Sequence, residues 1–292
     1  MQLKNSELEI TECPRDAMQG IGEFIPTKIK AAYLQALLEV NFGVLDFGSF
    51  VSPKSIPQLR DTGEVLGMLE LPAERTKLLA IIANLRGAQD ASHFEQIDFL
   101  GFPFSISEEF QKRNAHSTIE ESYRRVMEIQ EVCIKSNKKL LIYLSMAFGN
   151  PYGELWSIDI LNQHALKLQS IGVQHFALAD TIGCATASSI GKIYKGMVEL
   201  LGFGVNLGLH LHSTPYSSAE KIAAALDAGC CRFDTALMGF GGCPMATDIL
   251  TGNIATEVLC LQADTRKIET GIKVEKWSAA LGICKDIFGK FH

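Results

Sequence analysis

The stretch Leu8-Glu9-Ile10-Thr11-Glu12-Cys13-Pro14-Arg15-Asp16 decides between two ways of winding a parallel α/β chain. It opens as a short β-rich run and ends in a charged turn. An open doubly wound sheet wants a glycine-rich phosphate-binding turn after its first strand. Here Cys13-Pro14-Arg15-Asp16 supplies a cation and a carboxylate instead. Further along, Val44–Phe50, Leu78–Ala83, Ile97–Phe102, Leu140–Met146, His175–Ala179, Leu207–His212 and Arg232–Ala236 join Leu8–Cys13 as candidate strands. Helical stretches separate them, as parallel returns require. Leu140–Met146, LLIYLSM, is apolar almost throughout, which suits a strand covered on both faces. The pattern predicts an α/β fold, a (β/α)8 TIM barrel in a single domain spanning residues 1–292. Additional C-terminal helices from about residue 257, ending in Lys276–Phe291, close the barrel.

Helix signals agree. Ser117-Thr118-Ile119-Glu120-Glu121 reads as a cap with an acidic first turn, opening a helix that runs through Cys133. Gly172 and Gly229 stand where helices ending near Ile171 and Ala228 should stop. With 292 residues, 47% hydrophobic and 21% charged, the chain has the make-up of a soluble protein with a large core. Its net charge of −6 argues against non-specific binding to nucleic acid or to an anionic membrane. The eight cysteines contain no CxxC pair and no secreted-scaffold rhythm, so reduced thiols are expected. MQLKNSELEI has the features of neither a signal nor a transit peptide, and no apolar run approaches a membrane span of about 18 residues. The expected compartment is cytoplasmic.

Barrel active sites lie at the C-terminal ends of the strands, and four polar clusters fall there. Arg15-Asp16 follows the first strand and reads either as a joint metal and anion site or as a surface ion pair. His210-Leu211-His212 places two imidazoles on one face of a strand, as paired metal ligands or as core histidines bonded to backbone. Gly239-Phe240-Gly241-Gly242-Cys243-Pro244 forms a loop able to close over a ligand, with a thiol at its tip. Asn253 offers an amide oxygen, although Asn beside Gly also marks turns. Asp16, His210, His212 and Asn253 together make a metal set with open positions. Residue types alone leave Fe(II), Zn(II), Mg2+ and Mn2+ available.

The motifs taken in order resemble the hydroxymethylglutaryl-CoA lyases, a group of metal-dependent barrel lyases. Pro14-Arg15-Asp16 with Gln19 resembles their opening motif, and Ser49-Phe50-Val51-Ser52-Pro53-Lys54 their segment after the second strand. Ser107-Glu108-Glu109-Phe110 with Asn114 and Ser117 resembles their CoA-side loop. Asp180-Thr181-Ile182-Gly183, His210-x-His212, Gly241-Gly242-Cys243-Pro244 and Gly252-Asn253-x-Ala255-Thr256-Glu257 follow in the family's order, so the likeness spans Ile10 to about Leu259.

The resemblance implies that Asp16, His210, His212 and Asn253 bind Mg2+ or Mn2+. It makes Arg15 the stabiliser of a developing enolate, steadied by Asp46, and Cys243 a proton-transfer thiol. Gln19 and Ser49 would face substrate, while Asp180 and Glu257 would hold polar groups around metal and substrate. Ser107, Lys112, Arg113 and Asn114 would lie near an acyl-CoA substrate, the two cations countering its phosphates. A homodimer is implied as well. The chain departs from the family at Asp46, where a glutamate is usual and whose shorter side chain should hold Arg15 more loosely. It departs again at Ala177 for serine, at Ser213 for aspartate, and at Ala17-Met18-Gln19-Gly20. The expected reaction is cleavage of 3-hydroxy-3-methylglutaryl-CoA to acetyl-CoA and acetoacetate. The alternatives are a related lyase or synthase for another hydroxyacyl-CoA or a 4-hydroxy-2-oxo acid, and a silent acyl-CoA-binding barrel.

Overall fold

Alternation within Lys139–Ser145 shows how the molecule is packed. Leu141 and Tyr143 join Val44, Leu79, Ile81, Phe99 and Ala177 in a small apolar cluster inside a ring of strands. Ile142 and Leu144 point the other way, into the much larger core between that ring and its helices. A strand buried on both faces has no polar side to show, so its sequence reads as one continuous apolar run.

The computed structural model describes residues 7–72, 76–242 and 251–291. Its strands are β1 (Glu9–Glu12), β2 (Val44–Ser49), β3 (Lys77–Ile81), β4 (Ile97–Ser105), β5 (Lys139–Ser145), β6 (His175–Ala179), β7 (Asn206–His210), β8 (His212–Ser213), β9 (Arg232–Thr235) and β10 (Gly252–Asn253). The first seven and β9 pair in parallel as a closed barrel, β1 joining both β2 and β9. The helices are α1 (Pro14–Gln19), α2 (Thr27–Val40), α3 (Thr62–Gly67), α4 (Leu85–Ser92), α5 (Glu108–Ala115), α6 (Ile119–Lys135), α7 (Ile158–Ser170), α8 (Ala187–Leu201), α9 (Ser218–Asp227), α10 (Thr256–Thr265) and α11 (Val274–Phe291). The last two are the closing helices expected beyond Asn253. The barrel predicted from the strand pattern is the barrel observed.

Local signals act as their chemistry dictates. Thr118 and Glu121 form a reciprocal capping box on α6, satisfying two backbone donors that a helix start leaves unbonded. Gly172 and Gly229 follow α7 and α9 at φ of 100° and 88°, a conformation that costs glycine little. Among the described residues, no helix is long and apolar enough to cross a membrane.

One strand differs from expectation. The run Leu207–His212 is not a single barrel strand: β7 stops at His210, and His212 belongs to β8, which pairs antiparallel with β10. The ladder to β6 ends at the Ala179–His210 pair, and beyond it the chain finds its partner in the segment returning from the glycine loop.

Candidate active site

Arg15 and Asp16 stand on α1, whose first position is Pro14, a residue that tolerates a helix start because it has no N–H to orphan. The α1 turn caps the barrel mouth and is itself buried. Arg15 Nη2 reaches Asp46 Oδ2 at 2.6 Å, and Nε donates to the same oxygen at 3.0 Å. Its Nη1 donates to Asp16 Oδ1 at 3.0 Å and to Gln19 Oε1 at 2.8 Å. The looser hold expected of the shorter Asp46 is not found: α1 packs against β2 closely enough for the aspartate to grip the guanidinium on two nitrogens. Burial pushes the Asp46 carboxyl up to about 6, against the pull of Arg15. Burial also opposes charge on Asp16, but Arg15 and the two histidines bring it down to about 2.

The histidines meet this pair from across the barrel. His210 and His212 have ring centroids 5.1 Å apart. His210 Nδ1 lies 3.3 Å from Asp234 Oδ2, and His212 Nδ1 lies 3.1 Å from the Thr181 carbonyl oxygen. A carbonyl only accepts, so His212 Nδ1 carries the hydrogen and Nε2 keeps its lone pair. That Nε2 is buried and has no hydrogen-bond partner. Burial, with His210 next to it, lowers the His212 pKa to about 4, which keeps the ring neutral. Burial also works against charge on His210, but the bond to Asp234 and that carboxylate's charge raise its pKa.

Ligand atoms of Asp16, His210 and His212 all lie within 4.8 Å of one another. Asn253 completes the group: its Nδ2 donates to Asp16 Oδ2 at 2.8 Å and to the Phe240 carbonyl at 2.9 Å, and its backbone pairs with His212. The amide nitrogen rather than the oxygen faces Asp16. A carboxylate and two imidazoles, one of them with an orphaned, buried ring nitrogen, fit a divalent cation.

A cleft of about 650 Å³ opens over this floor, with Arg15, Asp16, Gln19, His210 and His212 lining its base. Arg113, Asn114, His116 and Arg125 line it too. Gly242 also borders the cleft, and Gly241 packs so tightly on α1 that an added Cβ would stand 2.7 Å from Ala17 Cα. Cys243, expected at the tip of this loop, lies outside the described residues.

The remaining expected residues fall elsewhere. Ser107 does not border the cleft: it caps α5, accepting from the Phe110 N–H at 3.1 Å and donating to Glu154. Lys112 pairs with Glu108 one helical turn away at 3.3 Å and is likewise absent from the cleft wall. Ser49 borders a smaller neighbouring cavity and donates to the Ile81 carbonyl. Asp180 sits beneath the site, 2.7 Å from Lys221 Nζ, and Glu257 accepts from the Met238 N–H. Ala177 is part of the barrel's inner cluster, and Ser213 pairs with Gly252.

Sequence reasoning missed Asp234, Lys221, Tyr143 and Arg125. Lys221 ties Asp180 to the His212 carbonyl, so a buried ion pair braces the strand that carries a candidate ligand. A lysine next to Ile222 on the buried face of α9 was the available signal. Tyr143 lies edge-on to His210, ring centroids 5.6 Å apart, on an inward position of β5.

Comparison with known proteins agrees with this architecture. A rat protein named 3-hydroxy-3-methylglutaryl-CoA lyase, cytoplasmic, is 31% identical over 276 residues, covering 94% of this chain and 79% of the rat protein. The crystal structure of the Bacillus subtilis HMG-CoA lyase superposes with a TM-score of 0.90 at 27% identity, covering 98% of this chain and 95% of that one. An Acinetobacter baumannii HMG-CoA lyase, solved in complex with coenzyme A and 3-methylmalate, gives 0.89 at 28% identity, covering 99% and 93%. The HMGL-like family model matches residues 9–282, nearly the whole barrel and its closing helices, and the chain belongs to the HMGL-like family.

Proposed function

We propose that this chain is a carbon–carbon lyase that cleaves 3-hydroxy-3-methylglutaryl-CoA to acetyl-CoA and acetoacetate. One observation carries the reading: a carboxylate and two imidazoles from separate elements converge within 4.8 Å beside a fixed guanidinium. Asp16, His210, His212 and Asn253 would hold Mg2+ or Mn2+, which when bound acidifies a ligating hydroxyl and polarises a neighbouring carbonyl. The hydrogen bond to Thr181 fixes the His212 tautomer, and Asp234 orients His210.

In the reaction the tertiary hydroxyl passes its proton through water, relayed by Asp16 or a histidine, to solvent, and its oxygen becomes the new ketone. The bond between the second and third carbons breaks, and its electron pair moves onto the thioester as an enolate. Arg15 Nε, one Nη2 hydrogen and both Nη1 hydrogens are taken by Asp46, Asp16 and Gln19. One Nη2 hydrogen is left to face developing charge on the enolate oxygen. A donor held this firmly needs no reorganisation as charge appears, usually the largest contribution to catalysis. Cys243 then donates its thiol proton to the enolate carbon, and the thiolate regains a proton from solvent. Arg113, Asn114 and Arg125 on the cleft wall suit the polar and anionic parts of an acyl-CoA. We read the working unit as a cytoplasmic homodimer on the same resemblance.

The test is direct assay of 3-hydroxy-3-methylglutaryl-CoA, with and without chelator. Acetoacetate should form, formation should stop in excess chelator, and Mg2+ or Mn2+ should restore it. Undiminished turnover in chelator removes the metal reading, and absence of cleavage with the cation restored removes the substrate.

A further inference from the structure

We propose that Cys13, His210 and Asp234 form a second cation site, selective for a thiophilic divalent ion such as Zn2+ or Co2+, sharing the His210 imidazole with the site above it. The three residues come together through the ring closure of the barrel. Cys13 occupies the N-cap position of α1 but makes no side-chain cap, and its backbone N–H donates to the Thr235 carbonyl at 2.8 Å. In the β1–β9 ladder Thr11 stands opposite Asp234, which brings Cys13, two residues beyond Thr11 on the same face, to the mouth side of that carboxylate. A Cys13 sulfur, a His210 nitrogen and an Asp234 oxygen all lie within 4.8 Å of one another, and all three residues are buried.

A second observation points to a missing occupant. The Thr11 hydroxyl, fully buried on the same inward face, is without a hydrogen-bond partner. The Tyr143 hydroxyl is buried as well and faces the Asp234 carboxylate. A buried hydroxyl left without a partner marks an unfilled polar site.

The donor chemistry separates the two sites. Asp16, His212 and Asn253 offer oxygen and nitrogen, whereas the lower group adds sulfur, which hard Mg2+ and Mn2+ avoid and Zn2+ and Co2+ favour. His210 turns Nδ1 toward Asp234, leaving its other nitrogen for Asp16 and His212. The carboxylates of Asp16, Asp46 and Asp234 surround the place, against the guanidiniums of Arg15 and Arg232. Burial and those carboxylates raise the Cys13 pKa, so without a cation the thiol stays protonated and inert. Binding sends the thiol proton and the Nδ1 proton to solvent. The ion enters past His210, which borders the cleft.

The inference does not rest on the lyase reading, because its readout is spectroscopic. Full-length protein is titrated with Co2+, and the near-ultraviolet thiolate-to-cobalt charge-transfer band is recorded. The band should appear in the wild type and in Cys243→Ser, and vanish in Cys13→Ser, which should keep its Mn2+-supported turnover. Equilibrium dialysis should show that Cys13→Ser has lost one equivalent of Zn2+. Should Cys13→Ser fail to fold, Cys13→Ala decides, and the thiolate-to-cobalt band should be absent from it as well. No band in the wild type, a band unchanged in Cys13→Ser, or one lost in Cys243→Ser alone overturns the proposal.

Discussion

Replacing Glu12 by glutamine should remove a specific fall of stability with pH. The Glu12 side chain leaves β1 on the outside of the barrel and is fully buried. Its Oε1 accepts from the Leu237 N–H at 2.7 Å, and its Oε2 lies 2.6 Å from Thr256 Oγ1, which also contacts Thr235 Oγ1 at 2.9 Å. A protonated Glu12 can donate to Thr256 while Thr256 gives its own hydrogen to Thr235, so the chain accommodates the neutral acid. Burial raises the carboxyl from 4.5 to about 8. The folded state therefore holds a proton that the unfolded state has already lost. The stabilising contribution is complete below pH 4.5 and is lost as pH rises to about 8, above which both states are ionised. At about 1.4 kcal/mol per tenfold change in proton affinity, the full loss is about 5 kcal/mol. The glutamine of Glu12→Gln would copy the protonated form, accepting from Leu237 and donating to Thr256 without titrating. Urea unfolding across this range should give equal stabilities for the two proteins at the acid end, with the variant several kcal/mol ahead at the alkaline end. Parallel stability curves would refute the reasoning.

Arg15→Met should lower kcat by about 10²–10³-fold. It should also destabilise the fold by about 3–5 kcal/mol, because Asp46 is left buried and unpaired. The double variant Arg15→Met/Asp46→Leu should regain stability but not rate, and recovery of both would remove the enolate role. Lys221→Met should cost about 3–5 kcal/mol by stranding Asp180, read as the urea midpoint, and an unchanged midpoint would contradict a bracing role. Gly252→Ala should weaken Mn2+ binding by about 10–100-fold. Its Cβ would stand 2.3 Å from the Gly239 carbonyl oxygen, forcing the strand that carries Asn253 to move. Isothermal titration giving a wild-type Kd would show that Asn253 is not held there by that strand.

The barrel was legible because a strand buried on both faces writes its burial into every residue, as in Leu140–Ser145. The paired histidines were legible for a partly wrong reason. Their spacing suggested one strand, whereas β7 ends at His210 and His212 is held by β10. A pairing between segments so far apart leaves no local periodicity. Asp234 and Lys221 stayed hidden for a related reason: their partners His210 and Asp180 lie 24 and 41 residues away, so no local pattern joins them. Ser107 misled in the opposite direction. Serine before two glutamates has a sufficient local role as a helix cap, and that role accounts for its contacts in α5.

Asn253 meets Asp16 across 237 residues, and β9 meets β1 only when the ring of strands is complete. A ribosome releasing this chain therefore finishes the corner proposed to hold the ion last. A divalent cation has nothing to grip on a partly made barrel, and it rewards only the finished ring. Added Mn2+ should accordingly slow the opening of mature protein while leaving the speed of its first collapse unaltered. The ion would act as a lock on completed molecules, with no part as a scaffold for nascent ones.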